Sequence, residues 1–128
     1  ITQHTDSPAA LQVAAKEGVY AFGQASDMIQ FAPETQLTAI IDQWGPYYVE
    51  RVAAALEGTW KSEDTWGGMD TGMVEMAPMT NMPEDVAETA IAIANQIYDG
   101  KLDIFPGKSM GDLLGMQDYL PGLDAMKP

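Results

Sequence analysis

Residues along the chain alternate between strand-like and helix-like spacing of apolar positions. Short strand-like runs, each ending at a polar residue, a glycine or a proline, occur five times. They span residues 1–4, 19–22, 37–41, 73–77 and 102–105. Residues 24–36 have neither period, and we expect a loop there with one irregular turn.

Three segments between the strands have helical spacing. The first, residues 9–17, follows the hydroxyl cap and proline of Ser7-Pro8, and a glycine ends it. The second begins at Gly45-Pro46 and the third at Pro83, and each of them also ends at a glycine. Both carry one apolar stripe at intervals of three and four residues. The stripes consist of Val49, Val52, Ala53 and Leu56, and of Val86, Ala90, Ile93 and Ile97.

The order of these elements predicts an α/β fold, in which a mostly parallel sheet has helices on both faces. In open sheets of this kind, ligands bind beyond the carboxyl ends of the strands. Three such ends carry polar side chains, so we expect them to form one strand-end rim. The rim consists of residues 5–7, 23–27 and 42–44. Residues 106–128 have weak periodicity, and we expect them to wrap another surface.

The strand-end rim suits a neutral ligand that is rich in hydrogen-bond donors. Asp6, Asp27 and Asp42 are candidates to accept hydrogen bonds from a base N–H or a sugar hydroxyl. Trp44 or Phe22 would supply a stacking face. A nucleoside, a purine or a sugar fits this description, whereas phosphate would be repelled. A structural alternative stays open, in which Asp6 and Asp42 only accept backbone N–H bonds at helix starts.

Composition narrows the classes of function. A chain of 128 residues fits one domain with a sizeable core, and its net charge of -13 disfavours nucleic acids and anionic membranes as partners. The absence of cysteine excludes disulfides, thiolate zinc sites and cysteine nucleophiles. No apolar run approaches the roughly 18 residues of a membrane span, and no signal peptide is visible. The chain does not begin with methionine, so a mature protein and a fragment are both open alternatives.

A methionine-rich segment allows two interpretations. Thioethers at short spacing can ligate Cu(I), a soft ion that prefers sulfur. Methionine also fills irregular gaps in cores, and the prolines in this segment keep it from forming a regular helix. The residues concerned are Met69, Met73, Met76, Met79 and Met82. The only histidine, His4, lies far away in sequence, and our main hypothesis includes no metal.

The sequence gives little support for an enzyme. His4 has no second histidine to work with, and the glycine motifs that cradle phosphate are absent. The glycine-rich TWGGMDTG contains no lysine and precedes no helix. Trp60 and Trp66 lie near turns, where we expect them to pack over a sheet edge rather than bind ligand. We therefore predict a binding module that uses no cofactor.

Several motifs, in order, resemble one family. These are QHTDSP, FGQASDM, LTAIIDQWGPYYVERVAAALEGTWKSEDTWGG and GMVEMAP. They resemble the basic membrane lipoprotein family, which comprises substrate-binding proteins of ABC importers that carry purines and nucleosides. The similarity runs from residue 1 to about residue 107, and it is weaker in the tail.

The resemblance implies a type I periplasmic binding fold, with two α/β lobes that a three-stranded hinge joins and that close on the ligand. Residues 1–107 would be the C-terminal lobe with a hinge-crossing segment, and residues 108–128 a tail packed on the lobe or the hinge. The first lobe, a signal peptide and a lipid-attachment cysteine would then lie upstream.

The resemblance also implies the site residues. Asp6 of QHTDSP matches a loop that faces ligand, and Gly23 and Gln24 match a strand end that approaches it. Asp42 and Trp44 match the loop that lines the cleft. Asp27 matches a recurrent aspartate, which would either bind ligand or hold its own loop together. The DSP and Trp44 features look closer to the members that bind free purine bases such as adenine.

The expected function is therefore to bind a purine base or a nucleoside for an ABC importer. The expected partners are the ligand, the permease subunits and the first lobe, with no nucleic acid and no membrane insertion of this segment. The expected location is the periplasm or a lipid-anchored position at the cell surface. Two alternatives stay open, an extracytoplasmic copper-handling protein that uses residues 69–82 and the ligand-sensing lobe of a signalling protein.

Overall fold

The computed structural model describes residues 1–102. Their helices and strands follow one another as α1 (Ala9–Lys16), β1 (Ala21–Gly23), β2 (Gln36–Asp42), α2 (Trp44–Leu56), β3 (Val74–Met76) and α3 (Glu84–Tyr98). Short 3-10 turns lie at Ile29–Phe31 and Met69–Thr71. The strand expected to continue beyond residue 102 and the wrapping expected of residues 106–128 lie outside the described residues. The division into lobe and tail at residue 107 stays a prediction.

The three strands form one sheet in the order β1-β2-β3. β1 is parallel to β2, with Gly23 opposite Ala39, and β3 is antiparallel to β2, with Asp42 opposite Val74. The predicted α/β class is therefore confirmed, and the described strands make a mixed sheet with one parallel and one antiparallel pair. The parallel pair brings the carboxyl ends of β1 and β2 to the same edge.

The predicted first strand at residues 1–4 is wrong. Only Ile1 pairs with the segment around β1: its amino group donates to the carbonyl of Tyr20 at 2.6 Å, and its carbonyl accepts the N–H of Phe22 at 3.0 Å. Residues 2–4 do not continue this pairing, and the bonds of one terminal residue make no ladder. The next predicted element is confirmed, because α1 begins where the Ser7 hydroxyl accepts the N–H of Ala9 at 3.2 Å.

The core of the described residues is small and lies between α1, β1 and the loop that precedes β2. Five buried apolar side chains form it: Leu11, Ala14, Ala21, Met28 and Ala32. The predicted stripe of α2 does not contribute, since Val49 is 72% exposed and Leu56 is 85% exposed. The amphipathic pattern is present in α2, but within residues 1–102 its apolar face is exposed and does not pack on the sheet.

The segment after β3 is tied back to the start of β2. Thr80 donates its backbone N–H to the carbonyl of Leu37 at 2.7 Å, and the Asn81 amide donates to the carbonyls of Pro33 and Gln36 at 2.8 and 2.7 Å. Asn81 has a φ of 54°, a left-handed conformation that asparagine tolerates better than most residues. These bonds set the direction in which the chain enters α3.

We expect Gly23→Ala to destabilise the fold by about 1–3 kcal/mol. A Cβ at Gly23 would lie 2.6 Å from the Cβ of Ala39 and 2.8 Å from Oε1 of Gln36, so the paired strands would have to separate. The matched control is Gly45→Ala in α2, where a Cβ would meet nothing within 4 Å. Because Pro46 follows, alanine gains less here than in a helix interior, and that change should be close to neutral, within about 0.5 kcal/mol. Urea unfolding of both variants checks this, and equal stabilities would contradict the close approach of β1 and β2.

Candidate functional site

The carboxyl ends of β1 and β2 meet, as two corners of the strand-end rim require, whereas residues 5–7 follow no strand. The N–H of Asp42 donates to the carbonyl of Ala25 at 3.0 Å, which joins the two ends directly. Ala25 has a φ of 63°, so the chain turns sharply as it leaves β1. Gly23, Gln24 and Asp42 are therefore brought to one edge of the sheet.

A cavity of about 300 Å³ opens beside this edge. Gly23 and Gln24 line it together with Phe22, the ring that the sequence offered as a stacking face. The remaining wall comes from residues 2–3, from β2 and from Met76. The cavity is mostly apolar, and backbone groups near Gly23 can approach an occupant because no side chain intervenes there.

Asp6 lies in the bend between residues 1–4 and α1, and its side chain is exposed. Within residues 1–102 its carboxylate accepts no hydrogen bond, because the neighbouring Ser7 supplies the bond to the start of α1. The alternative in which Asp6 serves only to cap that helix is therefore not what the structure shows. Its role toward a ligand stays a prediction.

Asp27 has a structural role in its own loop. Its Oδ1 accepts the N–H of Ile29 at 3.0 Å and an N–H of the Gln36 side chain at 2.7 Å. Gln36 begins β2, whereas Asp42 ends it, so this bond is directed away from the rim edge. The structure confirms the loop-holding interpretation of Asp27, and its contact with a ligand stays a prediction.

Asp42 and Trp44 flank the start of α2, which begins one residue before the predicted position. Neither Asp42 nor Gln43 caps the helix through its side chain, so the capping alternative does not describe Asp42. The Trp44 ring is stacked on Tyr48 with centroids 5.9 Å apart and meets Tyr47 edge-on. Because Tyr48 covers one face of the indole, a ligand can use only the opposite face or the edge.

The segment after α2 is fastened to that helix by Arg51, which sequence reasoning did not single out. The guanidinium lies 5.8 Å from the centre of the Tyr47 ring and 5.9 Å from that of Trp60. It donates to the carbonyl of Lys61 at 2.6 Å and pairs with Glu63 at 3.4 Å. Trp60 thus packs on Arg51, and the prediction that it lies over a sheet edge is wrong.

The fastened segment leaves a groove of about 330 Å³ along the first turns of α2. Trp66 lines this groove with 62% of its surface exposed, and its packing over a sheet edge stays a prediction. The mixture of tryptophan, lysine and acidic residues in TWKSEDTW could have indicated a segment with polar and aromatic contacts. It does not indicate that Arg51 is the residue contacted.

Four of the five clustered methionines line one apolar cavity. This cavity, of about 440 Å³, separates the sheet from α3, and its walls include Met69, Met76, Met79 and Met82. The arrangement supports the gap-filling interpretation, since the other walls are aliphatic side chains of α3 together with Phe22, Leu37 and Thr38 of the sheet. Among residues 1–102 no group of three or more His, Asp or Glu side chains could hold a metal ion.

We expect Asp27→Ala to destabilise the fold by about 1–3 kcal/mol. The change would leave the Gln36 amide, which is 1% exposed, without the acceptor of one N–H. Asp6→Ala is the matched control, because the Asp6 carboxylate is exposed and its loss should change stability by less than about 0.5 kcal/mol. Thermal or urea unfolding distinguishes the two, and a larger loss for Asp6→Ala would contradict the assigned roles.

The described residues contain no helix long and apolar enough to cross a bilayer. A structural comparison finds similarity to the crystal structure of a transcriptional activator of the comK gene from Bacillus halodurans. The TM-score is 0.66 at 16% identity, over 81% of this chain and 38% of that one. At this identity the likeness concerns the fold alone.

Sequence comparisons find closer relatives. A purine-binding protein of Brucella abortus is 51% identical over the whole of this chain, which spans 41% of that protein. A protein of Haloferax volcanii, named as the glucose-binding protein of an ABC transporter, is 34% identical over 85% of this chain and 28% of its own length. The chain thus spans less than half the length of these relatives.

A family model, described as ABC transporter substrate-binding protein PnrA-like, matches residues 1–105. The match covers most of the chain and includes every residue predicted for the strand-end rim. The chain therefore belongs to the Bmp family of PnrA-like ABC transporter substrate-binding proteins.

Proposed function

We propose that this chain forms part of the substrate-binding component of an ABC importer and that the ligand is a purine base or a nucleoside. The observation that carries the proposal is the 51% identity, over the whole chain, to a protein named as purine-binding. The family match over residues 1–105 supports the transport role, and the protein is a binding module rather than an enzyme.

The rim geometry supports a ligand of this chemistry. The exposed carboxylate of Asp6 and the half-buried one of Asp42 would accept hydrogen bonds from the base edge or from a ribose hydroxyl. Trp44 would pack on the ring with the indole face that Tyr48 leaves open. Gly23 and Gln24 would contact the ligand from the cavity beside β1. A net charge of -13 favours a neutral ligand over a phosphorylated one.

In the whole protein, the first lobe would contribute the other half of the site. Ligand would shift an equilibrium between open and closed arrangements of the two lobes, and the permease would recognise the closed one. This role requires the ligand-binding part to lie outside the cytoplasm. Attachment by a lipid at the cell surface is the form that the resemblance implies.

Sugars are a second candidate class of ligand. The observation that favours them is the 34% identity to a protein named as glucose-binding. Sugars share with nucleosides the neutral charge and the many hydroxyl donors that suit the rim. Neither the relatives nor the described residues support the copper-handling alternative, since the methionines line a cavity against aliphatic side chains.

We expect Asp6→Ala to weaken purine binding by the full-length protein at least tenfold, or about 1.4 kcal/mol, because one acceptor for the ligand is lost. Calorimetric titration with adenine and adenosine measures this. Glu88→Ala on the exposed side of α3 is the control and should leave the affinity unchanged. A wild-type protein that releases no heat with any purine or nucleoside would refute the proposal.

A further inference from the structure

The groove along α2 is a second concave surface that the proposed function does not use. It lies between the first turns of α2 and residues 63–73 and is called the α2 groove below. Besides the Arg51 guanidinium, its lining combines two aromatic rings, two carboxylates and three hydroxyls, one of which belongs to an aromatic ring. These belong to Tyr47, Trp66, Glu50, Glu63, Thr65 and Thr71.

The wall of the α2 groove is held in place before any ligand arrives. Arg51, whose side chain is only 19% exposed, joins α2 to the segment after it through a carbonyl and a carboxylate. The Tyr47 hydroxyl also contacts that of Thr65 at 3.4 Å. Because these side chains are already ordered, a ligand would lose less conformational entropy on binding here than on a flexible surface. A preformed wall is therefore typical of a binding site.

The charges of the α2 groove select against anions. Arg51 pairs with Glu63 at 3.4 Å, so its positive charge is compensated within the wall. Glu50 also lines the groove, and within residues 1–102 no cation lies within ion-pair distance of it. A phosphate or a carboxylate would meet this negative charge, whereas a neutral hydroxyl would find an acceptor.

A sugar ring has an apolar face of C–H groups and a polar rim of hydroxyls. An aromatic ring beside a carboxylate can bind both of them. The C–H face of the ring would pack on the exposed indole of Trp66, and its hydroxyls would donate to the Glu50 carboxylate. The volume of about 330 Å³ lies at the lower end of the range for small-molecule sites.

The α2 groove adjoins the strand-end rim. Gln43, which follows Asp42 directly, lines the groove, and its N–H donates at 2.9 Å to the carbonyl of Met73, which lines it as well. We propose that the α2 groove is a sugar-binding subsite of this protein. This proposal rests on the proposed function, in which the protein binds a ligand for an ABC importer. A ring with several hydroxyls is common to the ribose of a nucleoside and to a free hexose, so either could occupy the subsite.

The test uses the full-length protein and titrates adenine, adenosine and D-glucose separately. Trp66→Ala and Glu50→Gln should each weaken the binding of a sugar-bearing probe about tenfold and leave adenine affinity unchanged. Trp66→Phe, which keeps an aromatic face, should restore most of the affinity. Phe31→Ala and Glu57→Gln are the matched controls, since both residues are exposed and lie outside the groove.

The probes separate the two sources of the sugar ring. If the Trp66 and Glu50 variants bind adenosine more weakly but adenine unchanged, the α2 groove binds the ribose. If they bind glucose more weakly, it binds a free hexose. Equal losses with adenine and adenosine, or no loss with any probe, would overturn the subsite. Wild-type protein that binds glucose but no purine would refute the purine proposal and leave the subsite standing. If it binds none of the three, both proposals fail.

Discussion

The buried side-chain amide of Gln36 is the constraint on which the described fold depends. Its Oε1 accepts the N–H of Met28 at 3.2 Å, and its amide donates to Asp27 at 2.7 Å. A buried amide without partners would cost about 1–3 kcal/mol, so the loop before β2 must fold around this residue to satisfy it. The backbone carbonyl of Gln36 extends the same network, because it accepts from Thr80 at 2.6 Å and from Asn81 at 2.7 Å. One residue at the start of β2 therefore fixes both the loop after β1 and the entry to α3.

The same network explains why the strand-end rim lies where it does. Gln36 holds the loop after β1 at the start of β2. The chain leaving β1 turns at Ala25, whose backbone carbonyl accepts the N–H of Asp42 at the other end of β2. Gly23 permits the close approach of β1 to β2 that brings these groups together. At the carboxyl edge the Asp42 carboxylate accepts no hydrogen bond within residues 1–102, whereas Asp27, which is directed toward Gln36, is committed to its loop.

Local sequence signals predicted most helices and strands, but contacts between residues far apart in sequence could not be predicted. The ends of α1 and α2 follow from Ser7-Pro8, Gly45-Pro46 and the glycines that end each helix, since capping and chain reversal act within a few residues. The bonds of Arg51 to residues ten or more positions away have no local signature, so the α2 groove could not be foreseen. Residues 1–4 failed for a related reason, because strand formation depends on a partner that the segment itself does not reveal.

The three aspartates of the predicted rim looked equivalent in sequence and are physically distinct. Asp27 already accepts two hydrogen bonds through Oδ1, so a ligand would have to compete with a loop contact or use the other oxygen. Asp6 and Asp42 accept none through their carboxylates within residues 1–102, which leaves their full acceptor capacity for solvent or ligand. The fold thus already uses one member of this set and leaves the carboxylates of the other two without a folding role. A carboxylate that the fold does not need is the better candidate for recognition, because its removal can change affinity without changing stability.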